Sequence, residues 1–189
     1  IKRAATVRMR PWPPGAIQIT FNPERLSAGQ VDTATLSLAL ADTFTPTTNE
    51  DLAVRLSVGT ISDMTHMGSN RFTTRYEATD IKQPTLGIVT LVDTRRTDRS
   101  YGAIAIPIST NRTETFRVPP ETDVMVKVGD REYGPVKSSK RGKVEVEIVA
   151  QPGVNEAVVS VMKDGDWSQK VVSLQLPAPR RLQWIPIPK

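Results

Sequence analysis

His66 is the only histidine among 189 residues. It sits in Asp63-Met64-Thr65-His66-Met67-Gly68, with Ser62 and Ser69 close by, so a Ser-His-Asp set can be composed on paper. Catalysis of that kind needs a nucleophile held on a rigid turn beside an oxyanion hole, and no Gly-x-Ser-x-Gly elbow occurs. A loop histidine is the reading adopted. With no cysteine in the chain, disulfides, thiol nucleophiles and cysteine-ligated zinc are excluded together. Oxygen ligands for calcium could come from Asp164 and Asp166, with Asp130 and Glu132 in another loop. Calcium takes roughly six to eight oxygens, so soluble hairpin turns are the simpler reading. Glu145 and Glu147 could be paired carboxylates for glycoside hydrolysis, yet they alternate with Val144, Val146 and Ile148 as on any half-exposed strand. There is no glycine-rich phosphate loop, and no cofactor is expected.

The remaining chemistry is charge and aromatic surface. Lys137, Lys140, Arg141 and Lys143 place four cations within seven residues, and Arg95-Arg96-Thr97-Asp98-Arg99 forms a second basic stretch. Either is a solvated loop or a contact for an anionic partner such as polysaccharide, lipid headgroups or nucleic acid. No aromatic residue is interleaved among those lysines, which argues against single-stranded nucleic acid. The 25 basic and 20 acidic residues are mixed along the chain, so the excess of five positive charges describes a solvated surface. Trp12 and Trp184 lie among prolines near opposite ends. They either anchor a partner or sugar, or pack across a domain junction. Asn111-Arg112-Thr113 is a formal glycosylation sequon.

The elements that would position these residues are strands. Apolar residues recur with period two in Ile17–Phe21, Thr33–Leu40, Leu52–Val58, Arg71–Tyr76 and Leu86–Val92. The pattern resumes in Asp123–Val128, Lys143–Val149, Glu156–Met162 and Gln169–Leu176. β-Branched residues fill these runs and suit a pleated, half-buried surface. Asn22-Pro23, Ala28-Gly29, Gly68-Ser69-Asn70, Gly129-Asp130, Pro152-Gly153 and Asp164-Gly165 punctuate them as turns. Fifteen prolines, mostly outside the runs, argue against long helices. The longest apolar run, Gly102–Ile108, falls far short of the ~20 residues of a membrane helix. The expected fold is all-β, two tandem immunoglobulin-like β-sandwich domains.

The expected boundaries are an extended segment at 1–14, a sandwich at 15–98, a smaller sandwich at 99–178 and a Pro-rich tail at 179–189. The charged stretch 93–102 marks the division, and Tyr101–Ile108 could close the first sandwich or open the second. The tail reads as an extended linker or edge strand. The chain opens on Ile1 with no signal peptide after it, as expected of a processed chain or an excised fragment.

In chain order, the first half resembles bacterial immunoglobulin-like modules of the invasin/intimin type. The carriers are Ile17–Phe21, Pro23 and Leu26-Ser27-Ala28-Gly29, then Thr33–Leu40 closed by Asp42. Val54–Val58 with Gly59-Thr60-Ile61, Gly68–Tyr76 and Leu86–Val92 follow. Thr43-Phe44-Thr45-Pro46 replaces the family's Asn-Gly turn. In the second half, Gly134-Pro135-Val136, Arg141-Gly142-Lys143-Val144 and Gln151-Pro152-Gly153-Val154 resemble a carboxypeptidase-regulatory or immunoglobulin-like fold. The resemblance implies a non-enzymatic spacer or protein-interaction segment of a bacterial envelope or surface protein, extracytoplasmic, with a carbohydrate-binding domain pair as the alternative. Its partners would be other envelope proteins or domains of the same polypeptide, with anionic polysaccharide as a further ligand. The residues assigned to such contacts are Lys137, Lys140, Arg141, Lys143, Trp12 and Trp184.

Overall fold

A computed structural model describes residues 17–41, 51–94, 101–163, 165–174 and 176. Fourteen strands and no α-helix occur among them. The first packing unit contains β1 (Ile17–Asn22), β2 (Leu26–Ala28), β3 (Thr33–Leu40), β4 (Leu52–Leu56), β5 (Thr60–Ile61), β6 (Thr65–Gly68), β7 (Arg71–Glu77) and β8 (Thr85–Asp93). It is completed by the first half of β9 (Tyr101–Arg117). One layer runs β1-β3-β7, with β5 and β6 both on β7. In the other layer β9 pairs antiparallel with β8, β8 with β4, and β2 joins β9 in parallel. That is an immunoglobulin order, with the opening strand broken so that its second piece crosses to the opposite layer.

Alternation drives the packing. Along β3, Ala34, Leu36, Leu38 and Leu40 are buried while Thr35 and Ser37 face water. Phe72, Thr74 and Tyr76 of β7 point the same way, and Val89, Leu91, Ile106 and Ile108 meet them from the second layer. Tyr76 is fully buried and its hydroxyl donates to Val58 O at 2.9 Å, which ties the loop after β4 to the core. Burial pushes its phenol pKa up. Gly59 (φ +79°) makes this possible, because a Cβ there would lie 2.6 Å from the Tyr76 hydroxyl and 2.5 Å from Glu77 O.

The second unit is a smaller antiparallel sandwich. Its elements are β10 (Asp123–Val128), β11 (Arg131–Lys137), β12 (Lys143–Ala150), β13 (Glu156–Lys163) and β14 (Asp166–Ser173), with the second half of β9. The layer β11-β10-β13-β14 faces the pair β9 and β12. Phe116, Val124, Val126, Val128, Val144, Val146, Ile148 and Val159 form the core between them. Tyr133 links the layers, its hydroxyl accepting the Val149 N–H at 2.9 Å.

The two units share β9. Thr85–Val92 of β8 pair with Ile108–Tyr101, and Lys143–Ala150 of β12 pair with Arg117–Thr110. Ile108 is paired with both Thr85 and Leu26, and Thr110 with both Ala150 and Ala28. β2 therefore lies on one edge of β9, while β8 and β12 succeed each other along the opposite edge. Core membership changes at the same place: Ile106 and Ile108 pack with Leu36 and Tyr76, Phe116 with the second core. The sequence set its division at 98/99, inside a stretch whose residues 95–100 lie outside the described ones. In the structure Tyr101–Ile108 closes the first sandwich. The expected termini at 1–14 and 179–189 also lie outside the described residues.

Tyr76→Phe removes a buried hydrogen bond and is expected to lower unfolding free energy by about 1–2 kcal/mol. Leu36→Ala should cost about 2–5 kcal/mol through its cavity. Urea denaturation with an unchanged slope checks both.

Candidate functional site

Three loops meet at the end of the second unit that lies away from β2. Register places them together: Arg117 of β9 pairs with Lys143 of β12, Asp123 of β10 with Lys137 of β11, and Val124 with Val161 of β13. The tip thus comprises Val118–Thr122, Ser138–Gly142 and the hairpin after Lys163.

Its rigidity is built from short polar side chains. Ser138 is buried, its hydroxyl donating to Pro119 O at 2.7 Å and accepting the Thr122 N–H at 3.0 Å. The Thr122 hydroxyl donates to the same Pro119 carbonyl at 2.9 Å. In the next turn, Ser139 Oγ accepts Lys143 N–H at 3.0 Å, Ser139 O accepts Gly142 N–H at 2.8 Å, and Gly142 O accepts Val118 N–H at 2.9 Å. Gly142 (φ +68°) must be glycine, since a Cβ would collide with Val118 O. The basic loop is therefore a hydrogen-bonded platform.

The four cations differ in what surrounds them. Lys143 Nζ lies 2.5 Å from Glu145 Oε1 and holds that carboxyl below the usual carboxylate range, first by hydrogen bonding and then by charge. Lys137 stands across from Asp123. Lys140 and Arg141, at the apex, are exposed and have no ion-pair partner among the described residues. They are the cations best placed for an anionic partner. Trp12 and Trp184 lie outside the described residues. Trp167, on β14, is 45% exposed on the outer face of the four-stranded layer, beside Met162 and Gln169.

The other sequence candidates do not assemble. His66 is on β6 instead of a loop, its ring stacked on Phe72 at 4.8 Å. Ser62 Oγ accepts Arg75 N–H at 3.1 Å and contacts the Thr74 hydroxyl at 3.3 Å. Asp130 and Glu132 lie at the end of the second unit opposite the hairpin carrying Asp166, separated from it by the length of β10 and β13, and Asp164 lies outside the described residues. No cluster of His, Asp and Glu able to hold a metal occurs among the described residues. Glu145 and Glu147 are exposed on β12, as alternation required.

At the junction end, Asp130 accepts a hydrogen bond from Gln151 Nε2 at 2.9 Å and lies 3.7 Å from Arg25 of the first unit. The Gln151 hydrogen bond is the main cause holding its carboxyl pKa low, with Arg25 contributing charge. Both partners of that ion pair are 65% exposed, so it adds little stability. Nearby, an open cleft of about 450 Å³ is lined by Asp32, Glu77, Asp80, Lys82 and neighbouring apolar atoms. Asp32 is committed there to the Gly29 N–H.

Sequence reasoning missed the run 109–117. It has few apolar residues, and Arg112 and Glu114 point inward opposite Ile148 and Val146, paired with each other at 2.7 Å.

No protein-family model matches the chain, and no curated protein matches it. Among solved structures it is similar to the Yersinia pseudotuberculosis adhesin InvE, with 14% identity and a TM-score of 0.37 over 85% of this chain and 59% of that one. It is also similar to Yersinia pseudotuberculosis InvD, with 15% identity and a TM-score of 0.34 over 91% of this chain and 61% of that one. The chain spans about three-fifths of the length of these structures.

Ser138→Ala should destabilise the second unit by about 1–3 kcal/mol, because Pro119 O and Thr122 N–H lose a buried partner. Lys140→Ala with Arg141→Ala should leave stability within about 0.5 kcal/mol. That double change should shorten retention on a sulfated-polysaccharide resin. Equal retention would remove the loop as an anion contact.

Proposed function

We propose that this chain is a non-enzymatic, rigid interaction segment of a bacterial envelope or surface protein, extracytoplasmic, which holds the Ser138–Gly142 tip away from the first sandwich. The observation that carries the reading is β9, whose seventeen residues are shared by both sandwiches. A linker would let two modules swing, whereas bending here requires breaking ladder hydrogen bonds on both sides of Ser109, which is itself buried. The immunoglobulin order of residues 17–108, together with the family resemblance of that half, supports the envelope assignment. Partners would be other envelope proteins or domains of the same polypeptide.

Because the chain lacks cysteine, spin labels can be placed singly. Labels at Met67→Cys and Lys140→Cys, in an excess of unlabelled chain, should give one narrow distance distribution. Inserting three glycines after Ile108 should broaden it. A broad distribution in the uninterrupted chain would sink the spacer reading.

A second reading, carbohydrate binding, is favoured by the exposure of Trp167 beside Gln169 and Ser160 on the outer sheet face. A glycan-array signal abolished by Trp167→Ala would establish it, and no signal on any glycan would discard it.

A further inference from the structure

An unpaired sheet edge is a template for another strand, and soluble proteins blunt such edges. Among the described residues, most unpaired edges carry a recognisable guard. β5 and β6 are fragments of two and four residues, with a register shift between His66 and Gly68. β4 has five residues, and β1 has six and runs into Pro23. β11 contains Pro135 and a register shift opposite Val124–Val126. β9 turns Arg112 and Glu114 inward along its open side, and the outer edge of β12 is met by Tyr133.

β14 is built differently. It pairs with β13 residue for residue from Ser173 with Glu156 to Asp166 with Lys163, with no shift and no proline. Seven of its eight residues are exposed. On its outer face Trp167 and Val171, 45% and 58% exposed, stand across from Met162 and Val158 of β13, with Gln169 and Ser160 between the two apolar pairs. Its one central charge is Lys170, which stands on the other face with Asp166 and Ser168.

That spacing is self-complementary. When β14 pairs antiparallel with its own copy about a two-fold axis at Ser168, each Asp166 stands opposite the copy's Lys170, twice over. Ser168 meets Ser168, and each Trp167 covers the copy's Gln169. Opposite charges and hydroxyl pairs directly across a ladder are favourable, and like charges are not. A register centred on Lys170 would set lysine against lysine. Registers centred on Trp167 or Gln169 set no charge opposite a charge, so the Ser168-centred register alone gains the Asp166–Lys170 pairs, and the lysine that guards the edge also favours that register. We propose that β14 is the contact edge of a two-fold dimer of this chain, joining two four-stranded layers into one eight-stranded sheet through the Asp166–Lys170 pairs.

Sedimentation velocity across a concentration series tests this. Wild-type chain should sediment as a monomer–dimer equilibrium weakened by salt. Asp166→Lys alone and Lys170→Asp alone should each weaken the dimer about tenfold or more, since each change sets two like-charge pairs across the axis. Combining the two reversals should restore dimerisation. Ser168→Cys should give a disulfide-linked dimer on mild oxidation, in a chain otherwise without cysteine. All three positions are exposed, and unchanged circular dichroism confirms folding. A wild-type chain that stays monomeric, a dimer indifferent to both single reversals, or a Ser168→Cys chain that does not cross-link overturns the proposal.

Discussion

A backbone amide taken out of water must find a partner, and on β9 that requirement falls on one strand with two clients. Its edge is satisfied by β8 as far as Ile108 and by β12 from Thr110 onward, while β2 reaches the opposite edge at the crossing. Either sandwich could exist only with half of this strand, so the direction of one ladder fixes that of the other. Around the crossing the chain uses Ser109 and Thr110, both buried, where larger apolar side chains would have to belong to one core or the other. The exposed Arg25–Asp130 ion pair trims the junction but does not set it.

From that constraint the placement of the remaining groups follows. The strands of the second unit run parallel or antiparallel to β9, so their turns collect at two poles. The pole beside β2 receives Asp130 and Gln151, and the far pole receives Ser138, Lys140 and Arg141. The far pole is rigid because Ser138 and Ser139 saturate the carbonyls and amides of adjacent turns, which leaves the long cations free to reach outward.

How much of this was legible depended on the local signal. Alternation marked β1, β3, β7, β10 and β12 closely, because each presents one face to a core and one to water. β14 was placed at Gln169–Leu176 but runs from Asp166 to Ser173. Of its apolar residues Trp167 and Val171 face solvent and only Val172 turns to the core, so their pattern carried little burial to fix the register. The second half of β9 went unread because two of its inward positions are Arg112 and Glu114, an ion pair where aliphatic side chains would be expected, with Phe116 the one large apolar residue among them. The basic loop was visible as composition, but its stiffness was not: that rests on Ser138 reaching Pro119, nineteen residues away in sequence. Nothing in the local sequence around His66 announced its stacking on Phe72, a contact made only once β6 folds against β7.

The parallel pairing of β2 with β9 has a mechanical side. Leu26–Ala28 and Ile108–Thr110 run in the same direction, the first tied to the incoming chain and the second to the outgoing one. Tension along the polypeptide pulls these two strands past each other, so their hydrogen bonds share the load and must fail together. In the second unit the share of β9 begins at Thr110 and β14 ends at Ser173 at the same pole, where the Leu174 N–H is held by Asn155 O. There the load meets the ladder end first and opens it bond by bond. One molecule thus joins a sandwich loaded in shear to one loaded in peel, and a stretched chain would give way first in the second while the first still holds.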